Sequence, residues 1–178
     1  MFRSILVAYD GSPTSRTALA QASELAQAEN ARVTIVTVAP TVAPLAALAP
    51  ASIDGLRAEL DEWADRMLTQ AKAAVPTDLA VHTVRRNGHV GEQIVAEIEA
   101  GDYDLVVLGS RGHGRIASEI LGSVNSHVHF HTTVPTLTID TPEAAQADTQ
   151  GEAPGGEETD AEVGIEPDSG LRTVDPVR

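Results

Sequence analysis

Cysteine is absent from this 178-residue chain, which excludes disulfides, thiolate metal sites and a cysteine nucleophile. Lysine occurs once, at Lys72, against eleven arginines. That lysine lies far from any glycine-rich stretch, so a P-loop, which needs Gly-Lys-Ser/Thr, is excluded. The dinucleotide fingerprint Gly-x-Gly-x-x-Gly is missing, as is the Gly-x-Ser-x-Gly elbow of α/β hydrolases. No general base stands beside an obvious partner, so no catalytic residue is assigned and enzyme activity is not expected. No apolar run approaches the roughly 20 residues of a membrane-spanning helix. The opening Met-Phe-Arg-Ser-Ile-Leu-Val-Ala-Tyr-Asp has an apolar run too short for a signal peptide and no small-residue cleavage pattern. These absences together lead us to expect a soluble, cytoplasmic protein with no membrane partner.

A basic surplus is also missing. The formal net charge is −14, and residues 140–178 alone hold 11 acids and 2 bases. This balance argues against general nucleic-acid binding, which needs a basic stripe to displace counterions. Arginine in place of lysine, with abundant Ala, Val, Thr and acids, is halophile-like, since acidic surfaces stay hydrated in high salt. A GC-rich genome gives the same arginine and alanine bias, and composition alone does not choose between the two.

What the chain does have is concentrated between Asp104 and Val124. Leu105 to Leu108 is a short apolar run typical of a strand buried on both faces. It breaks into glycines at 109, 112 and 114, and a helix-like segment follows from Ile116 through Gly122-Ser123 to about Phe130. Strand, glycine loop and helix start in that order form an anion site. Glycines let the backbone approach closely, and free N–H groups at the helix start point at a phosphate.

The remaining elements alternate around this stretch. Ser4 to Tyr9 reads as a first strand. Ser12 and Pro13 open a helix that runs to about Glu29 and buries Ala18, Leu19, Ala22, Leu25 and Ala26. Arg32 to Val38 is β-branched, a second strand. Residues Ala39 to Ala51 contain three prolines and read as a mobile loop. In the second helix Ile53, Leu56, Leu60, Trp63 and Met67 share one face, and Trp63 and Met67 are expected in the core without a ligand role. Leu79 to Arg86 is a third strand, Asn87-Gly88 a turn, and Val90 to Ala100 a helix stopped by Gly101. Asp104 to Leu108 is the fourth strand, and Thr136 to Ile139, entered through Pro135, is the fifth. Five strands alternating with four helices define an α/β fold, an open five-stranded parallel sheet in a three-layer arrangement.

The spacing Gly109-x2-Gly112-x9-Gly122-Ser123, with its flanks Val-Val-Leu-Gly-Ser-Arg-Gly and Leu-Gly-Ser-Val and the later Val134-Pro135-Thr136-Leu137, resembles the ATP-binding branch of the universal stress protein family. Ile5-Leu6-Val7-Ala8-Tyr9-Asp10-Gly11-Ser12 is similar to that family's opening motif. The resemblance covers residues 1 to about 140 and implies a Rossmann-like sheet of order 3-2-1-4-5. It implies that Ala8, Asp10 and the backbone of Val38 border adenine and ribose. It further implies that Leu108, Gly109, Ser110, Arg111, Gly112, His113, Gly114, Gly122, Ser123 and Val124 surround the phosphates and ribose of ATP, with Mg²⁺ as an optional companion. Asp10 and Gly109 then meet at the switch point of the sheet, where ligands of open α/β sheets bind.

The resemblance implies a regulatory nucleotide-binding protein of the stress response, with at most slow ATP hydrolysis or autophosphorylation. It also implies a homodimer through the last strand, Val134 to Ile139. The alternative is a nucleotide-free dimerising module of the same family. Nucleotidyl transfer is disfavoured, because Asp10-Gly11-Ser12-Pro13 is neither a histidine-rich nor a Ser-Gly-Gly loop. His127, His129 and His131 depart from the family's usual arginine or lysine. Only His127 and His131 share a helical face, and no metal site is assigned. Residues 141–178, acidic and without aromatics, are expected to be a disordered tail.

Overall fold

Five strands and four helices alternate in the computed structural model, which describes residues 1–41, 53–112 and 122–141. In chain order they are β1 (Ser4–Ala8), α1 (Pro13–Glu29), β2 (Arg32–Pro40), α2 (Ile53–Ala74) and β3 (Val81–Gly88). α3 (Val90–Ala100), β4 (Leu105–Gly109), α4 (Ser123–His131) and β5 (Thr136–Ile139) follow. The sheet order is β3-β2-β1-β4-β5 and every pairing is parallel, as expected.

Alternation along the strands divides the core into two layers. Ile5, Val7, Val33, Ile35, Leu105 and Val107 point to one face and meet Ala18, Leu19, Ala22 and Ala26 of α1 and Ala71 of α2. Leu6, Val36, Val106 and Leu108 point to the other and meet Ile94 and Ile98 of α3 and Val128 of α4. Central strands covered on both sides must be apolar at every position, which is why β1 and β4 are continuous apolar runs. Burying each such side chain contributes about 1.5–3 kcal/mol.

Local signals set the ends of the elements. Ser12 caps α1, accepting from Ser15 N–H at 3.2 Å, and Pro13 fills the first helical position. Asn30 closes α1 in the left-handed region at φ 54°. Before β4, Asp104 accepts from the N–H groups of Arg3 (2.6 Å) and Ser4 (3.0 Å), registering β4 against β1. These bonds, that to Arg3 foremost, hold its carboxyl below the usual range.

Three expectations are corrected. β2 continues to Pro40, with Ala39 opposite Asn87 and Pro40 opposite Gly88, so Asn87-Gly88 is the end of β3 rather than a turn. The expected loop therefore loses its first two residues to the sheet, and residues 42–52 lie outside those described. The fourth helix does not run through Gly122, whose φ −57° and ψ 152° are extended; it starts at Ser123 with Gly122 as its N-cap. Its expected start near Ile116 and the expected disordered tail beyond Thr141 lie outside the described residues. Among the described residues no helix is long and apolar enough to cross a membrane.

Edge strand β3 is tied to α3 through a buried carboxylate. Glu97 is 6% exposed. Its Oε2 accepts from Arg86 Nε (2.8 Å) and an Arg86 terminal nitrogen (2.6 Å), and its Oε1 accepts from the Tyr103 hydroxyl (2.7 Å). Burial, then the bond to Glu97, pushes the Tyr103 phenol up from 10.0 to about 12. The folded state thus holds this proton more tightly than the unfolded chain. That stabilisation is complete below pH 10.0 and is lost as pH rises toward about 12. Tyr103→Phe is expected to cost about 1–2 kcal/mol at neutral pH and to flatten the loss of stability across that alkaline window. Urea midpoints measured against pH in both proteins check this.

Candidate functional site

The chain leaves β1 through Tyr9-Asp10-Gly11-Ser12. Asp10 Oδ1 accepts from Ser12 N–H at 3.0 Å, and Gly11 takes φ 81°, a conformation that side chains resist. This tight turn aims the start of α1 at the end of β4. There Ser110 N–H donates to the Ile139 carbonyl (2.7 Å) and the Ser110 hydroxyl to Asp140 Oδ1 (2.8 Å), anchoring the loop to β5.

The two loops bond directly to each other. Ser12 Oγ (3.4 Å) and Thr14 Oγ1 both donate to the Arg111 carbonyl. Where they touch, glycine is required at 109 and gives close approach at 112. A Cβ on Gly109 would stand 2.6 Å from Thr14 Oγ1 and 2.8 Å from Ser15 N, and one on Gly112 would stand 2.7 Å from Asp10 Oδ2. Behind the loop, Asn125 Nδ2 donates to the carbonyls of Gly109 (2.8 Å) and Ser110 (3.1 Å). Asn125 Oδ1 is buried with no partner among the described residues.

The converging loops border a cleft of about 530 Å³ at the carboxyl ends of the central strands. Ala8, Val36, Val38, Ile94 and Leu108 form an aliphatic floor, and Gly109 to Gly112 with Gly122 to Asn125 form the opposite rim. α4 begins at Ser123 with Gly122 as its N-cap, so among the described residues its first-turn N–H groups lie on that rim without a side-chain cap. β2 offers a further polar edge. The Val36 carbonyl accepts from Tyr9 N–H at 2.9 Å, and pairing with β1 ends there. Strand alternation puts the N–H and C=O of Val38 on the same edge, past the end of β1.

The structure brings together Ala8, Asp10, Val38, Leu108, Gly109, Ser110, Arg111, Gly112, Gly122, Ser123 and Val124 around this cleft. His113 and Gly114 lie outside the described residues. The Ser110 hydroxyl is committed to Asp140. Sequence reasoning missed Ser15, Asn125 and the α3 residues Val90 and Ile94 as wall residues, and it placed Trp63 in the core. Trp63 instead lines the cleft with Leu60 and Pro40, whereas Met67 does pack against the core. The available signal was position: Leu60 and Trp63 lie in the half of α2 nearest the carboxyl ends of the strands. His127 and His131 stack with centroids 4.2 Å apart, and His131 Nδ1 is 2.8 Å from the His127 carbonyl. Among the described residues no group of three or more His, Cys, Asp or Glu side chains is placed to hold a metal.

An open parallel sheet with a cleft at the crossing of β1 and β4 defines a doubly wound α/β protein whose cleft lies at the topological switch point. The chain belongs to the universal stress protein family, whose model matches residues 1–140. It is 33% identical over 141 residues to a universal stress protein of Thermus aquaticus, covering 78% of this chain and 99% of the relative. A universal stress protein solved in complex with cAMP is 29% identical, with a TM-score of 0.52, covering 78% of this chain and 97% of its own. The universal stress protein of Archaeoglobus fulgidus in complex with dAMP shares the fold at 20% identity, with a TM-score of 0.59, covering 77% and 97% of the two chains.

Packing at Gly109 sets a direct test of the loop junction. Gly109→Ala is expected to destabilise by about 1–3 kcal/mol, because the added methyl has backbone and a buried hydroxyl in its way. Gly55→Ala on open α2 surface, where nothing lies within 4 Å, is expected to stabilise by about 0.5–1 kcal/mol. Chemical denaturation of the two variants beside the parent checks both signs.

Proposed function

We propose that the cleft binds an adenine nucleotide, ATP with or without Mg²⁺, and that the protein is a nucleotide-responsive regulator of the stress response. The observation that carries this is the junction of the two loops: hydroxyls of α1 hold the Arg111 carbonyl, and a glycine rim opens onto an aliphatic floor. The volume lies within the roughly 300–1,000 Å³ of small-molecule sites. The base rests on Ala8, Val36, Val38 and Leu108, and the outward N–H and C=O of Val38 read its polar edge. The phosphates lie against the amides of the glycine loop and of the α4 start, where the helix dipole favours negative charge. Asp10 supplies the carboxylate at the sugar, and the oxygen ligand on this rim for a cation carried by the phosphates. A family relative at 29% identity that holds cAMP supports the adenine assignment.

The second reading is a nucleotide-free dimerising module. It is favoured by the packing at Gly109, whose backbone neighbours call for glycine whether or not a ligand is present. Equilibrium dialysis with ATP, AMP and a non-adenine control separates the two. Saturable ATP binding is expected. Gly122→Val, whose side chain would crowd the Ser110 carbonyl 3.1 Å from Cβ, is expected to weaken it at least tenfold while the protein still folds, with stability lowered by about 1 kcal/mol. Absence of binding to the parent protein selects the second reading.

A homodimer through β5 accompanies either reading. Among the described residues β5 pairs only with β4, and beside its other edge Leu137 is 40% exposed. Such an edge needs covering. Sedimentation velocity is expected to show a dimer that Leu137→Arg converts to monomer; a monomeric parent protein contradicts this interface.

A further inference from the structure

Trp63, the only tryptophan in the chain, belongs to neither layer of the core. Farther along α2, Ala64 and Ala71 are fully buried, and Met67 and Leu68 pack against the layer shared with α1. Leu60 and Trp63 continue the same helical stripe, one turn nearer the helix start, and there the stripe overhangs the cleft instead of the sheet. Trp63 is half-buried, and part of its ring faces the cleft. A large apolar ring with an open face gains free energy when a ligand covers that face.

The surroundings say what that occupant is. Among the cleft's lining residues Pro40, Val38, Leu60 and Ile94 are uncharged, and β1 separates β2, which carries Val38 and Pro40, from β4 and its glycine loop; Arg57 and Asp61 stand with Pro40 and Leu60 in an adjoining recess. The glycine rim serves an anion through its amides, and an aliphatic group gains as much from leucine as from an indole. Only a flat π system gains specifically from a second flat ring over an aliphatic floor.

We propose that Trp63 is the specificity-determining residue of the cleft: its indole covers one face of a purine base seated over the carboxyl ends of the strands, beside Val38 and Pro40. This rests on the nucleotide reading above and adds to it the residue that selects a purine over a smaller pyrimidine ring. Stacking on an aromatic side chain is worth a factor of roughly 5 to 150 per base.

Because Trp63 is the sole indole, emission excited at its red edge reports this contact alone. ATP is expected to shift or quench that emission, and inorganic tripolyphosphate, which reaches only the glycine rim, is expected to leave it unchanged. In equilibrium dialysis Trp63→Leu is expected to lose at least tenfold in ATP affinity and most of the preference for ATP over CTP. Trp63→Phe is expected to stay within about threefold and to keep the preference, so a general loss of packing is told apart from loss of the ring. Far-UV circular dichroism confirms that both variants fold. ATP binding with unchanged emission, and with equal ATP and CTP affinities in parent and leucine variant, overturns the Trp63 assignment and leaves the nucleotide reading standing. No ATP binding by the parent protein overturns both.

Discussion

The hydroxyls of Ser12 and Thr14 meet the Arg111 carbonyl, and the shape of the cleft depends on that contact. It joins residues almost a hundred positions apart, and it forms only if each loop is already shaped. Asp10 must hold Ser12 N–H and Gly11 must turn left-handed, so that α1 starts at Pro13 with Thr14 facing β4. On the other side Gly109 must lack a side chain, since any Cβ would push against Thr14 and the Ser15 amide. A parallel sheet of order 3-2-1-4-5 is what brings β1 and β4 side by side so that these demands can be met at once.

That contact also sets the polarity of the rim. The chain has no cis peptide bond among its described residues, so each carbonyl and the following N–H point in opposite directions. Turning the Arg111 carbonyl toward α1 turns Gly112 N–H away from it. Asn125, by holding the carbonyls of Gly109 and Ser110, likewise fixes the amides that follow them, and Ser110 N–H is then taken by Ile139. With Val38 at the end of β2 and the start of α4 on the rim, the cleft is polarised largely by backbone, with Asp10 and Arg111 as its charged lining residues. This suits a chain with a single lysine. It also means that the site is assembled by topology, because backbone groups are aimed only by the fold around them.

Much of this was legible in the sequence. β1 and β4 announce themselves as apolar runs because both of their faces are covered, and α1 through Ser12, Pro13 and Asn30. The glycine spacing placed the rim. What was hidden has physical reasons. The extension of β2 through Ala39 and Pro40 is hidden because a proline at the end of a strand loses little, and so resembles a proline in a loop. The start of α4 at Ser123 is hidden because Ile116 onward carries helical periodicity and nothing local stops a helix from spanning one glycine. Trp63 was misplaced because periodicity reports which side of a helix is apolar, not where along its length the sheet beneath it ends. The Glu97 pocket was invisible because Arg86 and Tyr103 reach it from separate elements.

The glycines show why spacing alone is a weak witness for a ligand. Gly109 has backbone neighbours that forbid a side chain, so glycine there would be needed to close the loops over nothing, whereas Gly112 is crowded only by the Asp10 carboxylate, which can shift. The case for an occupant rests on what closure leaves over. The loops could have met around a filled core, yet they border about 530 Å³. β2 could have stopped where β1 does, yet it runs four residues further, with Val38 facing the gap. A protein interior normally packs to the density of an organic crystal. An opening of this size, floored by aliphatic side chains that gain by burial and edged by backbone groups that gain by bonding, carries a free-energy cost that an occupant able to meet both would remove.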